Sequence, residues 1–172
     1  MCIGNVLHKI NLGGNIVSKM DLMKDPKVVF GLIQIVANKK ETLLERELKE
    51  FDITFKQWFL MIVIENTFQT PPTLIEAAKA MGSSHQNVKQ IALKLEQKGF
   101  IIIEKDKKDF RVKRIRLTEE SYEFSKIIQA KAATFTAALF KGIDEDEMSK
   151  ARVVLYKMMT NLAKMEQSEQ ED

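Results

Sequence analysis

PTLIEAAKAMG at 72–82, SSHQNVKQIALKLEQKGF at 83–100 and IIIEKDKKDFRVKRIRLT at 101–118 form one continuous stretch on which the reading of the chain turns. Leu74, Ala77, Ala78 and Met81 recur at helical spacing, and Gly82 stands where a C-terminal cap with positive φ is wanted. Ser83 and Gln86 then have the spacing of a capping box, which starts a second helix at about Ser84. In that helix Val88, Ile91, Ala92 and Leu95 make one apolar stripe facing the first helix. Gln86, Lys89, Gln90, Lys94 and Gln97 point the other way, and Gly99 closes it.

Beyond Gly99 the chain reads as a hairpin. Residues 100–103 are short and mostly β-branched, residues 111–117 return, and 105–110 make the turn. On the return strand Val112 and Arg114 share one face, with Ile115 and Leu117 on the other. Between Lys79 and Arg116 there are 11 Lys or Arg against 4 Asp or Glu, net +7, so with +3 overall the rest of the chain is net −4. Positive charge concentrated in this way suits phosphate binding, because neutralised phosphates release condensed counterions. Helix, tight turn, helix and hairpin, in that order, is a winged helix-turn-helix, which places its second helix in the major groove of DNA. Gln and Asn can bond bidentately to adenine, and Lys to guanine or phosphate. Base contacts would concentrate at Ser83, Ser84, His85, Gln86 and Asn87, although an ordinary solvated polar face is the plainer reading of this helix taken alone.

The same residues resemble a family. Asp109-Phe110-Arg111 followed by Ile115-Arg116-Leu117-Thr118 is similar to the wing signature of MarR-family transcriptional regulators. The junction from Leu95 to Ile101 and the helix start from Ile53 to Trp58 also resemble that family's, and the likeness runs over residues 26–162. It implies a homodimer, a wing-tip Arg in the minor groove, here Arg111, and in some members an effector pocket for small lipophilic acids. One departure is Lys107, where many members carry Pro, which leaves the turn looser.

Around this unit, 172 residues with 45% hydrophobic and 30% charged side chains fit a globular protein. The longest apolar run is residues 58–64, far short of the roughly 20 that span a bilayer. Residues 1–24 form an extension broken by Gly4, Gly13 and Gly14, so no signal peptide is read and the expected location is the cytoplasm. Cys2 is the single cysteine; it is either a redox sensor, as in some branches of the resembled family, or an idle thiol on a frayed terminus. One Cys with His8 and His85 gives a zinc cluster little to be built from, and no cofactor is expected.

Asp25 and Pro26 open a long helix whose first half, from Val28 to Val36, is apolar nearly all round and so expects a partner. Its second half holds Leu43, Leu44 and Leu48 on one side until Phe51 and Asp52 end it. The next helix, 54–68, offers Trp58, Phe59, Met61, Ile62 and Ile64 as core or, in part, as an effector pocket. Pro71 and Pro72 stiffen the turn into the winged unit. After the wing, Thr118 caps a helix that runs through Tyr122, Phe124, Ile127, Ile128, Ala132, Phe135 and Leu139 towards Gly142. Another begins at Asp144, with Met148, Val153, Leu155, Met158, Met159 and Leu162. The acidic stretch 166–172 is expected to be disordered.

The fold class is therefore α+β, mostly α. Residues 53–118 form the DNA-reading unit, and residues 25–52 with 119–165 form a dimerisation region. The expected function is that of an effector-responsive repressor of transcription, with double-stranded DNA, a second copy of the chain and a small molecule as partners. Gln86, Asn87, Lys89 and Gln90 would carry base readout, with Ser83, Ser84 and Lys94 positioned on phosphates and Lys107, Lys108 and Arg111 on the wing. The enzyme class finds no paired carboxylates, nucleophile with base, or phosphate loop. A winged helix used only to bind protein would want an apolar or acidic face where Gln, Asn and Lys stand.

Overall fold

The structure, a computed structural model, describes residues 26–106 and 108–168. Cys2, His8, Asp25 and Lys107, given roles above, lie outside the described residues. The chain divides into two compact units, one ending at Ile128 and one beginning at Gln129.

In the first unit, α1 (Pro26–Leu48) passes through a short 3-10 turn, Lys49–Phe51, to Asp52, whose left-handed φ of 51° ends the helical run. Leu44 and Leu48 are buried. Leu43, expected beside them, is 47% exposed, because its position falls off the side that meets the next helix. That helix, α2 (Phe55–Thr67), starts on a capping box: the Thr54 hydroxyl accepts from Gln57 N–H while the Gln57 side chain accepts from Thr54 N–H. The run 58–64 is apolar on every side, so periodicity could not select its core face. Packing against the later helices selects Leu60, Met61, Val63 and Ile64, leaving Trp58, Phe59 and Ile62 either half-buried or at the margin of the core.

Pro72 is buried, and Thr73 forms a capping box with Glu76 at the start of α3 (Leu74–Ala80). Leu74, Ala77 and Ala78 face inward, and Gly82 turns the chain with φ 58°. A residue bearing Cβ is disfavoured by about 1 kcal/mol or more in this region, which explains a Gly here. The next helix, α4 (His85–Gln97), departs from expectation at its start: the N-cap is Ser84, whose hydroxyl accepts from Asn87 N–H at 3.2 Å. The Ser83–Gln86 capping box does not form, since with His85 as first helical residue the third position is Asn87. The short Asn87 amide donates instead to the Ser83 hydroxyl at 2.8 Å. Val88, Ile91, Ala92 and Leu95 are all buried.

The hairpin is β1 (Ile101–Lys105) with antiparallel β2 (Lys113–Leu117), registering Ile101 with Leu117 and Ile103 with Ile115. The first strand runs two residues further than the β-branched run suggested. The second begins two residues later, because Val112 N–H donates to Asp109 C=O and extends the turn. Ile115 N–H donates to Pro72 C=O at 2.9 Å, so the stiff segment before α3 is tied to the hairpin. Sixteen apolar residues from all these elements form one buried cluster, reaching Ile128 in α5 (Glu119–Leu139). Phe124 of that helix stacks on Phe100 at 4.4 Å and meets Phe51 edge-on.

In the second unit, α5 ends and Gly142 turns the chain with φ 82°. Then α6 (Glu145–Ser168) starts on a reciprocal cap between Asp144 and Glu147. No residue of α6 is buried. It continues through Glu166 to Ser168, residues assigned above to a disordered tail, by carrying its helical pattern past the last apolar position, Met165.

Candidate nucleic-acid interface

The surface of α4 opposite its buried stripe is continuous. Ser84, His85, Gln86, Asn87, Lys89, Gln90 and Lys94 stand on it with Ser83 at its edge, so the expected side chains come together on the first three turns. Two of them are partly committed: Ser84 to the helix cap, and the Asn87 amide to Ser83. That second bond uses one of the two Asn87 side-chain N–H donors and leaves the other, with Oδ1, open. Lys89 and Lys94 have no acidic partner among the described residues. Leu93, one turn on from Gln90 and Lys89, is also exposed on this side.

The wing has an internal organiser that sequence reasoning missed. The Asp106 carboxylate accepts from Arg114 Nε, from Lys108 N–H at 2.7 Å and from Asp109 N–H at 3.0 Å. The Arg114 guanidinium, followed by those backbone N–H groups, holds the Asp106 carboxyl far below the usual carboxylate range. Arg114 in turn donates to Pro71 C=O at 2.8 Å and lies 3.9 Å from Glu76, joining the wing to the start of α3. The Thr73 backbone N–H, then its hydroxyl, keep the Glu76 carboxyl below its ordinary value as well. Arg114 was counted among the cations available to phosphate; the structure commits it to the fold. Lys98 is likewise spent on Asp52. The one sequence signal for the wing network was an acidic residue leading a basic turn.

Arg111 is placed differently. Its side chain is 92% exposed and pairs with Asp109 at 3.2 Å, and it projects from the same end of the hairpin as exposed Lys108. Among the described residues no group of three or more His, Cys, Asp or Glu could hold a metal ion. An open cavity of about 490 Å³ is lined by Glu45, Arg46, Lys49, Asp52, Ile53, Thr54, Gln57 and Lys98. Seven of its eight lining residues have polar or charged side chains, and none of them is Trp58, Phe59, Met61, Ile62 or Ile64, the residues considered for an effector pocket.

No protein-family model matches the chain. Among solved structures, a MarR/EmrR family transcriptional regulator from Acinetobacter sp. ADP1 superposes with a TM-score of 0.72 at 20% identity, covering 83% of this chain and 99% of that one. The fold is that of the MarR-family regulators. The MarR-type neighbours include the S. aureus MepR–DNA complex, with TM-score 0.67, 23% identity and coverage of 76% and 94%. They also include Bordetella bronchiseptica BpsR, whose DNA binding is regulated by 6-hydroxynicotinic acid, with TM-score 0.67, 18% identity and coverage of 76% and 92%. No described helix of this chain is long and apolar enough to cross a membrane.

Proposed function

We propose that the protein is a homodimeric, sequence-specific regulator of transcription that binds double-stranded DNA at a pseudo-palindromic operator, and that it acts as an effector-responsive repressor. The observation that carries this reading is the exposed Gln, Asn and Lys face of α4 set beside the projecting Arg111. Gln86, Asn87, Lys89 and Gln90 read base edges, Ser83, Ser84 and Lys94 position phosphates, His85 faces the DNA, and Lys107, Lys108 and Arg111 hold the wing to the duplex. Two such units reach successive half-sites roughly 34 Å apart.

Residues 25–52 with 119–165 supply the dimer contact, and residues 53–118 the reading unit. Support comes from apolar side chains left exposed on α1, including Val29, Phe30 and Val36, and on α6, including Leu155, Met159 and Leu162. Monomers rarely leave large contiguous apolar patches in water. An effector would act by changing the separation of the two reading units. The small-molecule regulation of BpsR supports looking for one.

The test is affinity for the protein's own upstream promoter DNA against random duplex, titrated over salt, with the mass of the species in solution measured alongside. Preference for the promoter with a steep salt slope and a dimer mass is the expected result. No preference, with a flat slope, would shift the reading to a winged helix that binds protein. Arg111→Ala should weaken binding to every sequence and lower the salt slope by about one. Gln90→Ala should instead relax preference at one base pair, by about 1–3 kcal/mol, with the slope kept.

A further inference from the structure

Phe110 stands at the tip of the wing with 71% of its surface exposed, between Asp109 and Arg111. A ring left in water forgoes the free energy of burial, and a loose turn would let it fold back. Hydrogen bonds hold this turn open on both sides of the ring. Asp106 N–H donates to Val112 C=O, Val112 N–H to Asp109 C=O, and Arg111 N–H to the Asp109 carboxylate at 3.0 Å. The Asp106 carboxylate fixes the turn from within.

The rim around the ring is cationic. Arg111 and Lys108 are exposed beside it, and Lys105 and Lys113 face each other where the strands meet the turn. A neutral apolar pocket on another protein would bury the ring only by desolvating these charges. A polyanion with an apolar cleft satisfies ring and rim together, and the minor groove of duplex DNA is such a cleft, with sugars and base edges between two rows of phosphate. Apolar side chains entering it wedge between base steps and partly unstack them.

The geometry points to Phe110 as an apolar minor-groove wedge that seats at a base step next to the Arg111 contact. This rests on the DNA-binding reading and adds to it a contact that reads deformability: a flexible pyrimidine–purine step opens for the ring at less cost than a stiff A-tract. The wing thereby contributes to site choice without a hydrogen bond to any base.

The test uses the full-length protein on its upstream promoter duplex, with wild-type binding established first. Phe110→Ala should weaken binding about tenfold, the scale of one lost aromatic–base contact. The salt slope should stay unchanged because no charge is removed. Phe110→Leu should keep most of the affinity. With 2-aminopurine placed at successive positions under the wing, wild type should raise the fluorescence at one step and Phe110→Ala should not. Unchanged affinity for Phe110→Ala, or weaker binding without the fluorescence difference, would overturn the wedge while leaving α4 and Arg111 as DNA contacts. An altered oligomer mass at unchanged DNA affinity would also overturn it, in favour of a protein contact at the tip. A wild type that prefers no duplex would overturn both readings before any variant is compared.

Discussion

Leu95→Ala is expected to lower the unfolding temperature by roughly 5 to 15 °C. Leu95 has no exposed surface, and it belongs to the cluster that joins α2, α3, α4 and the hairpin. Removing a fully buried Leu side chain costs about 2–5 kcal/mol, combining lost transfer free energy with the cavity left behind. For a chain of this size each kcal/mol moves the midpoint by about 2–4 °C. Leu93, two residues away and 37% exposed, is the control: an exposed truncation changes stability by about 0.5 kcal/mol or less. Both variants should be melted at one protein concentration, since association would itself shift the midpoint. Equal midpoints for the two would mean that the inward face of α4 has been misplaced.

Arg114→Ala is expected to reduce DNA affinity by on the order of a hundredfold, more than Arg111→Ala, although Arg114 is the less exposed of the two. Arg114 acts as a positioning residue. Without it Asp106 loses its guanidinium partner, the hairpin loses its tie to Pro71, and Lys108 and Arg111 are no longer held in one place. Charged hydrogen bonds contribute about 1.5–3 kcal/mol each, so losing the two wing contacts together accounts for that factor. Amide exchange separates positioning from contact: Lys108 and Asp109 N–H should exchange faster in Arg114→Ala and stay protected in Arg111→Ala. The pH dependence has a defined sign. The folded-state pKa of Asp106 lies below its unfolded value, so the network's contribution is complete above the ordinary carboxylate range. It is lost only as pH falls through the depressed folded value. Amide protection at the wing should therefore survive mild acid and fail only in strong acid.

Much of this was legible in the chain because short-range signals agreed with one another. The spacing of Val88, Ile91, Ala92 and Leu95 fixed the inward face of α4, and with it the outward face that carries Gln86, Lys89 and Gln90. Gly82 and Gly99 marked the helix ends, and both have the positive φ such ends require. The signals failed where two neighbours competed for one role. Ser83 and Ser84 could each cap α4, and only the turn after Gly82 decides for Ser84. In the run 58–64 every residue is apolar, so the buried face depended on partners distant in sequence. The role of Arg114 was hidden for the same reason: its ties reach Pro71 and Glu76, about forty residues away, and nothing local distinguishes it from Arg111.

The absence of any buried residue in α6 bears on how much of the protein is folded in a cell. An isolated helix in water is marginal even when long, because most helical stability in proteins comes from packing one face. If the proposed dimer covers the 24 residues of α6, the surface that orders them is supplied in proportion to protein concentration. On that reading, abundance would become a second input alongside any effector. Few copies would then leave α6 frayed and open to proteases, whereas a rising pool would protect itself. Far-ultraviolet circular dichroism on serial dilution should show helicity falling together with the dimer mass, and limited proteolysis should cut within α6 first.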